Sequence, residues 1–138
     1  MPPQRDPRLQ ADDVLQAIAN IEADTAGLDF ERFAVDRRAR QLVERNLEII
    51  SEASRRLPDS AKAAEPDVPW REIAGIGNVL RHDYGVVKPE ILWGVRTYRL
   101  AALKAAVQRI RARFERQSLA RSTDLAGSDP MPSAISRA

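Results

Sequence analysis

Apolar residues recur along this chain at intervals of three and four, the spacing that lines one face of an α-helix. Leu9, Val14, Leu15, Ile18 and Ile21 predict an amphipathic helix from Arg8 to about Asp24, closed by Gly27 where a helix commonly ends on glycine. In the following Leu28-Asp29-Phe30-Glu31-Arg32-Phe33, Asp29 is placed to cap a short turn that tucks both phenylalanines inward, an elbow between helices. Leu42, Val43, Leu47, Ile49, Ile50, Ala53 and Leu57 predict a long second helix from about Arg37 to Leu57, with Asp36 as N-cap and Pro58 as terminator. Asn46 falls inside that stripe, where a buried amide needs hydrogen-bond partners; it lines a cleft, is satisfied within the core, or points outward. Residues 58–69 are polar and punctuated by proline, a loop with one turn in it. Trp70 opens a third helix through about Arg81, burying Ile73, Ile76 and Leu80. Asp83-Tyr84-Gly85-Val86-Val87 breaks it, and Pro89 starts a fourth, carried by Ile91, Leu92, Val95, Leu100, Leu103, Val107, Ile110 and Phe114 to about Gln117.

Four main helices with short connections predict an all-α antiparallel bundle with one short extra turn. Residues 1–7 read as a disordered lead-in, 8–117 as one domain and 118–138 as a flexible tail. Helices this amphipathic in a short chain leave a face for a second copy, and a C2 homodimer is the expected assembly. Composition agrees with a helical globular protein: 43% hydrophobic, 30% charged and only 5% aromatic residues. No apolar run approaches the roughly 20 residues that span a bilayer, and the first residues carry no apolar signal core, so no membrane association and a cytoplasmic location are expected.

With no cysteine, disulfides, thiolate zinc sites and cysteine nucleophiles are excluded; with one histidine, neither a metal nor a cofactor is expected. The net charge of +2 decides little, but the basic residues are nearly all arginine. Arginine's planar fork suits phosphate and carboxylate, which leaves RNA or an acidic protein surface open as a partner. Arg109, Arg111, Arg113 and Arg116 cluster near the predicted end of the fourth helix, where positive charge suits the dipole. Arg37, Arg38 and Arg40 stand near a helix start, where it does not; they read as a solvated face or as a contact for an acidic partner.

The candidate chemistry gathers at Gly77-Asn78-Val79-Leu80-Arg81-His82-Asp83-Tyr84, which holds the one histidine of the chain beside an arginine, an asparagine and a tyrosine. Histidine is the side chain best placed to exchange protons near neutral pH. Taken in order, the elbow from Gly27 to Phe33, the segment Arg45-Asn46-Leu47-Glu48-Ile49-Ile50-Ser51-Glu52-Ala53, the run Pro69-Trp70-Arg71-Glu72-Ile73-Ala74-Gly75-Ile76, and Asn78 through Tyr84 resemble the HepT-like family of HEPN-domain proteins. The resemblance spans about residues 8 to 116. These are small helical bacterial ribonuclease toxins encoded beside a minimal nucleotidyltransferase antitoxin of the MntA type.

The resemblance implies a HEPN-type bundle that cleaves RNA without a metal. In the family an arginine, usually followed by asparagine, stands four intervening residues before a histidine near the end of the third helix, and a tyrosine follows two residues later. His82, Asn78 and Tyr84 fall on that motif, but Gly77 occupies the arginine position. The resemblance then implies His82 as acid or base, Asn78 as support and Tyr84 as the residue that the partner nucleotidyltransferase modifies with AMP. Arg81, four positions after Gly77 and about 6 Å further along the axis, is the candidate to supply the missing guanidinium. Gly77 also leaves a second reading open, a catalytically weak or inactive interaction module whose role is to bind the nucleotidyltransferase.

Overall fold

The computed structural model describes residues 6–82 and 88–127. Every regular element among them is a helix. In α1 (Pro7–Asp24), the Asp6 carboxylate caps the Arg8 amide and Pro7 occupies the first turn, so the helix starts one residue before the apolar pattern does. Gly27 ends the turn that follows at φ +78°, a conformation that costs a residue with a Cβ. The elbow is α2 (Phe30–Val35), and α3 (Arg37–Arg56) follows directly; Asp29 and Asp36 accept from the Arg32 and Ala39 amides. Residues 58–69 contain one short helix, α4 (Asp59–Ala63), before α5 (Trp70–His82).

The predicted fourth helix is two, α6 (Pro89–Tyr98) and α7 (Leu100–Gly127), separated at Arg99, whose φ of −115° departs from helical geometry. α7 also runs well past Gln117, because Leu119, Ala120 and Arg121 are good helix formers and the first glycine after them is Gly127. This removes the dipole explanation for the arginine cluster. Arg109 to Arg116 lie in the middle of α7, outside the last turn where the dipole acts. Three of the four make ion pairs: Arg111 with Asp12, and Arg109 and Arg113 with Glu65.

Cross-helix pairs fix the directions. Glu22 meets Lys104 while Arg8 meets Glu115, so α1 and α7 are antiparallel. Ser51 meets Ala74 and Gly77, while Leu47 shares a groove with Ile76 and Leu80, so α3 and α5 are antiparallel too. α1 lies between α3 and α7, and their inward faces fill the core with Val14, Ile18, Ile21, Val43, Leu47, Ile50, Leu103 and Val107. Phe33 is fully buried against Trp93, with ring centroids 5.0 Å apart, and Phe30, half-buried, touches the same ring from 6.3 Å. The elbow therefore locks α2 onto α6. Trp70 anchors the opposite end, its indole N–H donating to the Lys62 and Glu65 carbonyls at 3.0 Å each. Among the described residues no helix is long and apolar enough to cross a membrane.

Candidate active site

The residues singled out for chemistry belong to the second half of α5 or follow it. Backbone placement puts Asn78, Arg81 and His82 on the last two turns of that helix, with the Asn78 side chain exposed. The side chains of Arg81 and His82 lie outside the described residues, as do Asp83 and Tyr84 entirely. Gly77 is buried and faces α3.

How α5 is held there follows from one serine. Ser51 is 1% exposed on α3, and its hydroxyl donates to the Ala74 carbonyl at 2.8 Å while accepting the Gly77 amide at 3.0 Å. A hydroxyl is both donor and acceptor, so one side chain engages two backbone groups of α5 on adjacent turns. The Ala74 carbonyl also accepts from Arg55 Nη2 at 2.7 Å. Helix α5 is thus pinned to α3 immediately before Asn78. Neither Ser51 nor Arg55 stands out by residue type in the sequence. The available signal is that Ser51 occurs where the Leu47-Ile50 stripe calls for an apolar residue, and a buried hydroxyl must be bonded to something.

Further along α3, Glu44 lies two helical turns before Ser51 on the same side. Burial pushes its carboxyl above the ordinary glutamate range, opposed by Arg40 and reinforced by the neighbouring charge of Glu48. Asn46 is settled as a core amide: it is 5% exposed, donates to the Leu42 carbonyl at 2.8 Å and accepts from Asn20 at 3.1 Å, so it lines no cleft.

Beside the pinned segment α5 and α6 leave an apolar groove of about 270 Å³, lined by Ile76, Val79, Leu80, Ile91 and Val95 and crossed at its edge by the Glu72–Arg99 ion pair. Val79 and Ile91 are half exposed there, at 51% and 49%. Among the described residues no acidic or histidine cluster is arranged to hold a metal ion.

The third long helix, α5, carries Asn78 and His82 in its backbone, and comparison with known proteins decides the family. The family model described as Ribonuclease HepT-like matches residues 14–110. The chain belongs to the HepT-like ribonuclease family. Among HepT-like relatives, the "Probable ribonuclease HepT" of Thermococcus cleftensis is 36% identical over 100 residues, covering 72% of this chain and 91% of that protein. A protein of Caldanaerobacter subterraneus subsp. tengcongensis is 33% identical over 104 residues, 75% of this chain and 93% of the relative. One from Methanocaldococcus jannaschii is 31% identical over 96 residues, 70% and 88% respectively; both carry provisional RNase names. No solved structure matches the chain significantly. The HepT-like match begins within α1 and ends at Ile110, within α7.

Proposed function

We propose that this HepT-like protein is an endoribonuclease, the toxin half of a toxin and antitoxin pair, that cleaves RNA without a metal at a site built on the end of α5. The observation that carries the proposal is family membership together with His82 and Asn78 standing in family register on a helix end. His82 takes the proton of a ribose 2′-hydroxyl as its oxygen attacks phosphorus, or returns one to the departing 5′-oxygen as that bond breaks. Arg81 stabilises the negative charge that grows on the phosphate, and Asn78 supports the site. The half-exposed apolar groove beside it supports pairing with a second copy that completes the cleft. Tyr84 is the residue the cognate nucleotidyltransferase modifies with AMP, adding bulk and a negative phosphate beside the active groups.

Purified protein is expected to cleave RNA in the presence of a chelator, His82→Ala to abolish cleavage, and Arg81→Ala to slow it by about 10²- to 10³-fold. Unchanged cleavage in either variant removes that residue from the mechanism. For Tyr84, incubation with the partner and ATP is expected to add the mass of AMP to the intact protein but not to Tyr84→Phe.

Gly77 favours a second reading, an attenuated module that serves as the nucleotidyltransferase's partner. It brings no side chain to the arginine position, and its amide is engaged by Ser51. A wild-type protein without cleavage that gains it in Gly77→Arg sides with this alternative.

A further inference from the structure

Arg55 leaves α3 and reaches across to α5, where its Nη2 donates to the Ala74 carbonyl at 2.7 Å. The side chain remains 44% exposed, and its other nitrogen stands 3.7 Å from Glu52, a surface pair of little strength. A guanidinium has five N–H donors, so the bond to Ala74 fixes the group in place and leaves most of its donors for a ligand. Because the side chain is already ordered, a phosphate binding there costs less side-chain entropy than one binding a free arginine.

What lies beside that guanidinium matters more. Asn78 is one turn beyond Ala74 and His82 two turns, about 6 and 12 Å along the axis and within about 80° around it. Arg55, Asn78 and His82 therefore follow one stripe that starts on α3 and runs to the end of α5. Buried Gly77 places no side chain on that stripe. By backbone position His82 stands about 12 Å along the axis from Ala74, a spacing that suits the guanidinium to a phosphate neighbouring the scissile one.

We infer that Arg55 is an RNA-backbone contact: its guanidinium, seated on the Ala74 carbonyl, pairs with a phosphate flanking the scissile one and sets the position of the strand along α5. This rests on the ribonuclease function proposed above. It makes Arg55 a positioning residue rather than a catalytic one, and it belongs to the pairing of charge with phosphate, which reads no base.

The test is binding of a fluorescent, fully 2′-O-methylated RNA oligonucleotide to the full-length protein over a series of salt concentrations. In Arg55→Ala the slope of log affinity against log salt is expected to fall by about 0.7, the loss of one phosphate contact on a single strand. Arg55→Lys keeps the charge and is expected to keep the slope. Arg56→Ala removes the adjacent charge, which pairs with Glu52 and lines the groove between α1 and α3, and is expected to leave the slope unchanged. A purely structural role for Arg55 would lower the melting temperature without moving the slope, and that result overturns the inference, as does an equal fall in Arg56→Ala. If the alanine variant does not fold, Arg55→Gln, which offers an N–H to Ala74 without charge, carries the same expectation. Absence of RNA binding by the wild type removes the ribonuclease reading along with this one. Wild-type binding with an unaltered slope in Arg55→Ala removes only the role of Arg55.

Discussion

Glu65 is the side chain with the most to lose. It is 7% exposed, yet it accepts from Arg109 Nε and Nη2 at 2.9 and 2.7 Å and from Arg113 Nη1 at 2.9 Å, tying the loop before α5 to the middle of α7. The bonds from Arg109 and then Arg113 hold its carboxyl below the ordinary glutamate range despite burial. A carboxylate with a depressed folded pKa stabilises the protein above its unfolded value, and that stabilisation disappears as pH falls through the folded one. Glu65→Ala is expected to lower the unfolding free energy by about 2 kcal/mol in urea titrations at neutral pH, with the gap to wild type closing in acid below the usual glutamate range. Nothing in the sequence near Glu65 announces this clamp, since its partners are more than forty positions away. Gly27, Asp29 and Asp36 were legible for the opposite reason: a cap or a left-handed turn is decided by residues within a few positions.

The helices repeat this division. Their spacing, the elbow and the bundle follow from apolar periodicity, which the core confirms at Val14, Ile18, Val43, Leu47, Leu103 and Val107. Their ends depend on finer chemistry. Asp36→Ala is expected to cost about 1 kcal/mol in chemical denaturation, because it strips the Ala39 amide of its cap at the start of α3. The break at Arg99 was not legible, since neither proline nor glycine marks it. The continuation of α7 was obscured by Ser118, Ser122 and Asp124, polar residues that a solvent-exposed helix accommodates as readily as a tail does. For α5 the sequence marked the helix and missed what fixes it to α3, because a hydroxyl bridging two helices has no periodic trace.

At the level of the whole molecule, Val79 and Ile91 form an exposed apolar strip, the face proposed above for a second copy. For the dimer and the cleavage proposed above, Val79→Glu is expected to give a monomer in light scattering and to remove cleavage, with the helical circular dichroism unchanged; a variant that keeps the wild-type assembly and activity would separate this face from both. Both of the chain's tryptophans are meanwhile structural anchors, and they stand at opposite ends of α3. Trp93 packs against the tilted ring of Phe33 and under the guanidinium of Arg96, which lies 4.5 Å from its ring centre, whereas Trp70 hangs from two loop carbonyls. Light absorbed by the two indoles thus reports on separate neighbourhoods, and a single-indole variant made with Trp93→Phe would let emission alone follow release of the loop that precedes α5.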